Sequence, residues 1–403
     1  MTVPLKPQHP LKVELDAFRP DPHAGFATYR PLSAVIDVGY GPVVTRHQDV
    51  AALLADPRTR QIETESLELH GIFAGALHDF YSNPMLLANA PVHAVRRRPA
   101  ARAFALKVIE AWRPRIRTLV AELLAAVEDR EEFDFIDAIA SPLPSRLIAN
   151  ILGAPEQDAP HFSSAVYEMA RGLGPFRPED YPKIELSASA LVVYARELVE
   201  ARKRAPQDDF LTDYLARVAE SDELSELETL MQIVTLIIAG SDTTRTALTM
   251  LVGLLLQHPQ QWEAVVADPS LAAGAVLEGL RFEPPVGGTA RMTTEPVAID
   301  GIPIAEGTLL SLSILSAQRD EAVFAEPARF NIRRSDHPRW SLSFGMGSHR
   351  CLGEALARAE LEEALIAIAQ RLPRLALKGP PPMAKGHGGI RGVTPMRVGQ
   401  RRV

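Results

Sequence analysis

The chain has 403 residues, with 43 lysines and arginines against 50 aspartates and glutamates, and the resulting formal charge of −7 argues against wholesale nucleic-acid binding. Hydrophobic residues at 46% and charged residues at 23% are ordinary for a globular protein with a large core, so disorder as the main state is excluded. The single cysteine, Cys351, permits no internal disulfide and fits a reducing cytoplasm.

At the N-terminus, Met1–Pro10 carries Pro4, Pro7 and Pro10 and no apolar run, so neither a signal peptide nor a membrane anchor is expected. Val35–Val44 reads as strand, and helical patterning then covers Pro99–Glu128, Ser141–Leu152, Leu186–Lys203 and Phe210–Glu220. Ser225 and Glu228 make an S-x-x-E capping box and the next proline is Pro259, which predicts one helix of about 30 residues over Glu226–Gln257. Its middle is apolar on nearly every face, so it should be buried. The most apolar window, Leu230–Gly240, is short of the roughly 20 residues that span a bilayer, and no membrane association is expected. Val297–Ile304, turning at Asp300-Gly301, and Thr308–Ile314 are strand-like, and a last helix follows over Gly353–Leu372. With no repeat and no linker, the expectation is a single domain over 1–403, mainly α with small peripheral β-sheets.

Two segments contain residues that regular structure does not ask for. Ala239-Gly240-Ser241-Asp242-Thr243-Thr244 lies inside the long helix, where glycine alone costs about 1 kcal/mol relative to alanine. Either Gly240 lets another helix approach and Asp242 pairs with an arginine, or the segment does chemistry. The second segment runs from Phe344 to Gly353 and places Cys351 at a helix start beside His349 and Arg350, a setting that favours thiolate, the metal-binding form. Gly345, Gly347 and Gly353 let such a loop bend tightly and let a flat cofactor lie against the main chain.

This second segment resembles the haem-binding loop of the cytochrome P450 family, Phe-x-x-Gly-x-basic-x-Cys-x-Gly, at Phe344, Gly347, His349, Cys351 and Gly353. Glu278-Gly279-Leu280-Arg281 is similar to the family's Glu-x-x-Arg helix, and Pro327-Ala328-Arg329-Phe330 to its Pro-x-Arg-Phe stretch. Ala239 to Thr244 resembles its Ala-Gly-x-Asp/Glu-Thr-Thr signature. The resemblance implies the cytochrome P450 fold, in which a long central helix and a C-terminal Cys-loop-helix sandwich haem b, iron protoporphyrin IX, with Cys351 as the iron ligand. It implies further that Ala239, Gly240, Phe344, Gly345 and Gly353 line the cofactor, and that His93, Arg97, Arg291 and His349 meet its propionates. Gly240 would admit dioxygen, and Asp242 and Thr243 would deliver protons. Glu278, Arg281 and Arg329 would brace the loop, while Arg96 and Arg98 stay on a solvated basic face.

The activity so implied is insertion of one atom of O2 into a lipophilic small molecule, by hydroxylation or oxidative demethylation, because thiolate ligation favours O–O cleavage. Electrons would come from NAD(P)H through a ferredoxin or flavodoxin-type donor with its reductase, docking near Arg350, to a cytoplasmic monomer. The substrate-facing loops are mostly apolar, and Leu86, Leu87, Ile238, Val286, Thr289 and Ile390 are the candidate pocket residues. Arg171 and Arg177 are read as surface residues. The alternative within the same fold is a haem-thiolate isomerase or dehydratase needing no electron donor; such relatives commonly lose the acid–threonine pair that this chain keeps. A haem-free protein with Cys351 as nucleophile or zinc ligand would lack a second cysteine or a spaced histidine cluster.

Overall fold

The capping box at Ser225 and Glu228 closes in both directions, and the helix it starts runs unbroken over Glu226–Gln257, 32 residues or about 48 Å. The structure, a computed structural model, describes residues 9–401 other than 20, 102, 103, 105 and 175. The first eight residues of the N-terminal stretch, and three positions of the helix expected over Pro99–Glu128, therefore lie outside the described residues. The chain divides into two compact units, each assembled from separated segments. Among the described residues no helix is long and apolar enough to cross a membrane.

One unit comprises the chain up to Ile62, Leu277–Cys351 and Lys385–Arg391. It holds a seven-stranded sheet in the order Leu11–Lys12, Val35–Asp37, Pro42–Val44, Leu309–Ser313, Val286–Thr293, Gly389–Ile390, with Thr59–Arg60 also paired to Val286–Thr293. The expected Val35–Val44 strand is thus an antiparallel hairpin, and the Asp300-Gly301 turn joins Val297–Ile299 to Ile302–Ile304. The longest strand absent from the sequence reading is the eight-residue Val286–Thr293. Gly287 and Gly288 hide it from a propensity argument, and both are there for close main-chain approach. A Cβ on Gly287 would lie 2.7 Å from the His387 carbonyl oxygen, and one on Gly288 2.8 Å from that of Leu312. Behind the sheet, Val35, Val44, Leu53, Ile302, Leu310, Leu312 and Leu342 share one buried core, which seats the segment leading into the cysteine loop.

The other unit comprises Glu63–Val276, Leu352–Ala384 and the chain from Gly392, and is helical. Its helices include Pro142–Ile151, Ala159–Ala170, Tyr181–Arg204, Phe210–Ser221, the long helix and Glu354–Arg371. The stretch expected as one helix over Pro99–Glu128 is instead two, Val92–Ala101 and Leu106–Ala125, and Pro99 lies inside the first. Gly240 is where the long helix meets Pro142–Ile151, since a Cβ there would stand 2.3 Å from the Ile148 side chain. Helix–helix approach therefore accounts for this glycine, and an opening for dioxygen is not needed to explain it.

Candidate active site

The loop ending at Cys351 is shaped by its own main chain. The Cys351 N–H donates to the Phe344 carbonyl at 2.7 Å, that of Gly345 to Leu342, and that of Arg350 to Gly347. Gly345 and Gly347 both have φ of +68°, which a side chain would strain, and a Cβ on Gly347 would come 3.1 Å from the Leu54 carbonyl oxygen. Gly353, with φ of −88°, caps the Glu354–Arg371 helix in an ordinary conformation, so the tight bend needs only the first two glycines. Phe344 is buried, His349 half-buried, and the Cys351 thiol is exposed. Arg350 donates to the Gly345 carbonyl at 3.0 Å and stacks on Trp340, 4.4 Å from the ring centre.

Beneath this loop the Glu-x-x-Arg pair is a structural brace. Glu278 and Arg281 are fully buried and joined by two hydrogen bonds of 2.7 and 2.8 Å. The third member is Arg334, whose Nε donates to Glu278 at 3.1 Å; the expected Arg329 is exposed and pairs with Glu326. A left-handed Glu326 and the turn at Asn331 aim Arg334 inward, and Arg329 contributes only its carbonyl, which accepts from Arg281 and Arg334. Ser343 Oγ donates to the Leu280 carbonyl at 2.7 Å, tying the loop's approach segment to this helix.

Arg291, on the Val286–Thr293 strand, is 4% exposed and donates to Gln61 Oε1, Thr289 Oγ1 and the Ala290 carbonyl. All three acceptors are neutral, and burial pulls the guanidinium pKa down to about 10. In the helical unit, His93 is buried beside Arg97 on one helix; burial, then the Arg97 charge, lowers the imidazole pKa. Arg96 is not on a solvated face: it is 8% exposed and bonds Glu228 at 2.9 Å and the carbonyls of Ser82 and Pro84, whereas Arg98 is exposed.

Along the middle of the long helix the burial pattern has a gap, with Ala239 exposed and Gly240, Thr243 and Arg245 half-buried. Thr243 Oγ1 donates to the Ala239 carbonyl at 3.1 Å. Asp242 points elsewhere, is 4% exposed and accepts a hydrogen bond from Arg245. Burial pushes its carboxyl pKa up, and the Arg245 charge and hydrogen bond partly offset this. Arg245 in turn lies 3.8 Å over the Tyr167 ring.

A cytochrome P450 family model matches residues 159–390. The chain is 42% identical over 378 residues to the plant-inducible cytochrome P450-pinF1 of Rhizobium radiobacter, covering 93% of this chain and 89% of that one. The chain belongs to the cytochrome P450 family. It is also 32% identical to 6-deoxyerythronolide B hydroxylase of Saccharopolyspora erythraea, over 91% and 92% of the two chains. The structure of P450BioI in complex with hexadec-9Z-enoic acid ligated acyl carrier protein superposes with a TM-score of 0.87 at 31% identity, covering 95% and 100%. The protein is thus a P450 monooxygenase acting on small molecules, and the family implies haem iron.

The residues present fit that group. A buried guanidinium with only neutral acceptors among the described residues suits a propionate, and an exposed thiol on a glycine-bent loop suits iron. The sequence reading missed Gln232 and Arg96 as buried polar braces. Gln232, fully buried in the long helix, accepts from the Met85 N–H at 2.6 Å and donates to the Asn83 carbonyl at 2.8 Å, holding the segment that leads to Leu86 and Leu87. A lone glutamine in an apolar window was the available signal. Of the pocket candidates, Val286 and Ile390 face each other across paired strands, with Thr289 on the first of them. Leu86 is exposed and Leu87 half-buried, but Ile238 is 1% exposed, and the open face at that level belongs to Ala239.

Proposed function

We propose that this P450 hydroxylates or oxidatively demethylates a lipophilic small molecule, using electrons from NAD(P)H delivered by a ferredoxin or flavodoxin-type protein, as a cytoplasmic monomer whose 1–403 chain forms one catalytic domain. The observation that carries this reading is the cysteine loop, with Cys351 bonded back to Phe344 through its N–H and its thiol exposed. Haem bound there through Cys351 supplies oxygen activation. His93, Arg97, Arg291 and His349 would hold its propionates, and Ala239, Gly240, Phe344, Gly345 and Gly353 would line it. Thr243 offers a hydroxyl at the open stretch in the middle of a buried helix, and Asp242 is the proton reservoir behind it, kept dry and restrained by Arg245. This acid–hydroxyl pair supports oxygen chemistry over isomerisation or dehydration.

The candidate pocket residues are Leu86, Leu87, Ile238, Val286, Thr289 and Ile390. Arg171 pairs with Glu168 and Asp180, and Arg177 is exposed, so neither supplies a buried anchor for a charged substrate. The hexadecenoyl chain in the P450BioI complex supports a lipophilic ligand. Trp340, half exposed beneath Arg339 and Arg350, offers a positive surface for an acidic electron donor. The decisive experiment replaces the ligand: Cys351→Ala abolishes the red-shifted ferrous–carbonyl Soret band of thiolate-bound haem, and retention of that band removes Cys351 from the iron.

A further inference from the structure

Arg391 belongs to none of the sequence motifs, yet it is 2% exposed. Its guanidinium donates to Glu283 at 2.7 Å, to the Pro284 carbonyl at 3.2 Å and to the Gly386 carbonyl at 3.0 Å, while its main-chain N–H donates to Pro285 at 2.8 Å. Glu283 also accepts from His23 Nε2 at 2.7 Å and from Arg319 at 3.3 Å. Because a carboxylate only accepts, His23 carries its proton on Nε2; its buried Nδ1 has no hydrogen-bond partner among the described residues. Burial alone would raise the Glu283 carboxyl, but the His23 bond and the Arg391 and Arg319 charges hold its pKa down to about 2.

The cluster sits at the junction of two strands that carry pocket candidates. Gly389–Ile390 pairs antiparallel with Val286–Thr293, Gly389 opposite Gly288 and Ile390 opposite Val286, with an irregularity between them. A two-residue strand with a bulge has too few ladder bonds to fix its own spacing. Arg391 follows it directly and bonds both sides, Gly386 at the start of its segment and Glu283-Pro284-Pro285 just before the facing strand. Gly287 supplies the opposing limit, because the segment's main chain at His387 already lies where a Cβ would be.

We propose that the Glu283–Arg391 pair is a positioning device for substrate selection: it clamps the Gly386–Arg391 segment onto the Val286 strand, fixing the separation of Ile390 from Val286 and hence the shape of molecule admitted. This rests on the reading of Val286 and Ile390 as pocket walls. Arginine suits the task because its planar fork reaches a carboxylate and two carbonyls in fixed directions, which an ammonium does not.

The test uses the haem-loaded protein and two probes that bind iron through the same nitrogen, imidazole and 4-phenylimidazole, titrated by their Soret shifts. Imidazole reports access to the iron; the phenyl group reports the pocket wall. Two variants loosen the clamp by different means: Arg391→Lys keeps the charge but loses the fork, and Gly287→Ala pushes the facing segment away with no change of charge. Each should alter the ratio of the two Kd values by about fivefold or more. The imidazole Kd and the haem content stay at the parent level. Val286→Ala and Ile390→Ala run alongside. If they shift the ratio and the clamp variants do not, the positioning role is overturned while the pocket reading stands. If none of the four shifts it, the pocket reading fails and takes the clamp with it. A parallel weakening of both probes would mean that the haem seat moved, which also overturns the proposal.

Discussion

Asp242 and Thr243 are adjacent in the chain but about 100° apart around the helix, so they meet different surroundings. Thr243 lies at the accessible gap and bonds its own helix, while Asp242 faces a dry interior and Arg245. A carboxyl in that setting is pulled two ways, upward by burial and downward by the guanidinium. Arg245→Gln removes the downward influence only, so the pKa of Asp242 should rise further. The pH at which the partition between product and released peroxide turns over then moves to higher values. Thr243→Ala leaves this pH dependence in place but raises peroxide per NAD(P)H consumed with a true substrate; no rise removes Thr243 from proton delivery.

At the scale of elements, the long helix is legible because its capping box, length and apolar middle agree, whereas its neighbours' roles are not. Gly240 fits against Ile148, Gln232 pins residues 83–85, and Arg96 reaches Glu228, all contacts between segments far apart in sequence. The Val286–Thr293 strand escaped notice because two glycines required by its neighbours suppress any strand-like alternation. The Glu354–Arg371 helix holds an uncompensated group: Glu360 is 2% exposed, its Oε1 has no hydrogen-bond partner among the described residues, and burial raises its pKa well above the usual carboxylate value. Above the ordinary glutamate pKa the unfolded chain releases this proton and the folded chain keeps it, so stability falls as pH rises through the interval between the two values. Glu360→Gln removes that slope. In denaturant titrations its stability relative to the parent should be unchanged near pH 4 and higher at pH 8, and a gain independent of pH would rule this cause out.

For the whole molecule, cofactor binding is linked to folding, because a group that binds only the folded chain raises its stability. Arg291 ties the two together: its buried charge has neutral acceptors alone among the described residues, an arrangement that a propionate would complete. Arg291→Leu should therefore speed haem transfer to apomyoglobin by about tenfold or more, on the scale of one charged hydrogen bond. The same variant should leave the melting temperature of the haem-free protein undiminished, so the gap between holo and apo forms narrows. A variant that destabilises both forms equally would assign Arg291 to the fold and not to the cofactor.

What the sequence by itself determined is local and contiguous: the cysteine loop, whose ten residues carry glycines, a basic residue and the thiol at set spacing; the signature within the long helix; and the mainly helical class. Each depends on neighbours within a few residues, which periodicity and capping rules describe. Tertiary structure alone decided which of the distant charges are buried and whom they meet: Arg334 in place of Arg329 at Glu278, Arg96 on Glu228, and Arg391 on Glu283. The physical reason is that an ion pair is set by proximity in space and by desolvation, and no pattern along the chain encodes either when the partners lie tens to hundreds of residues apart.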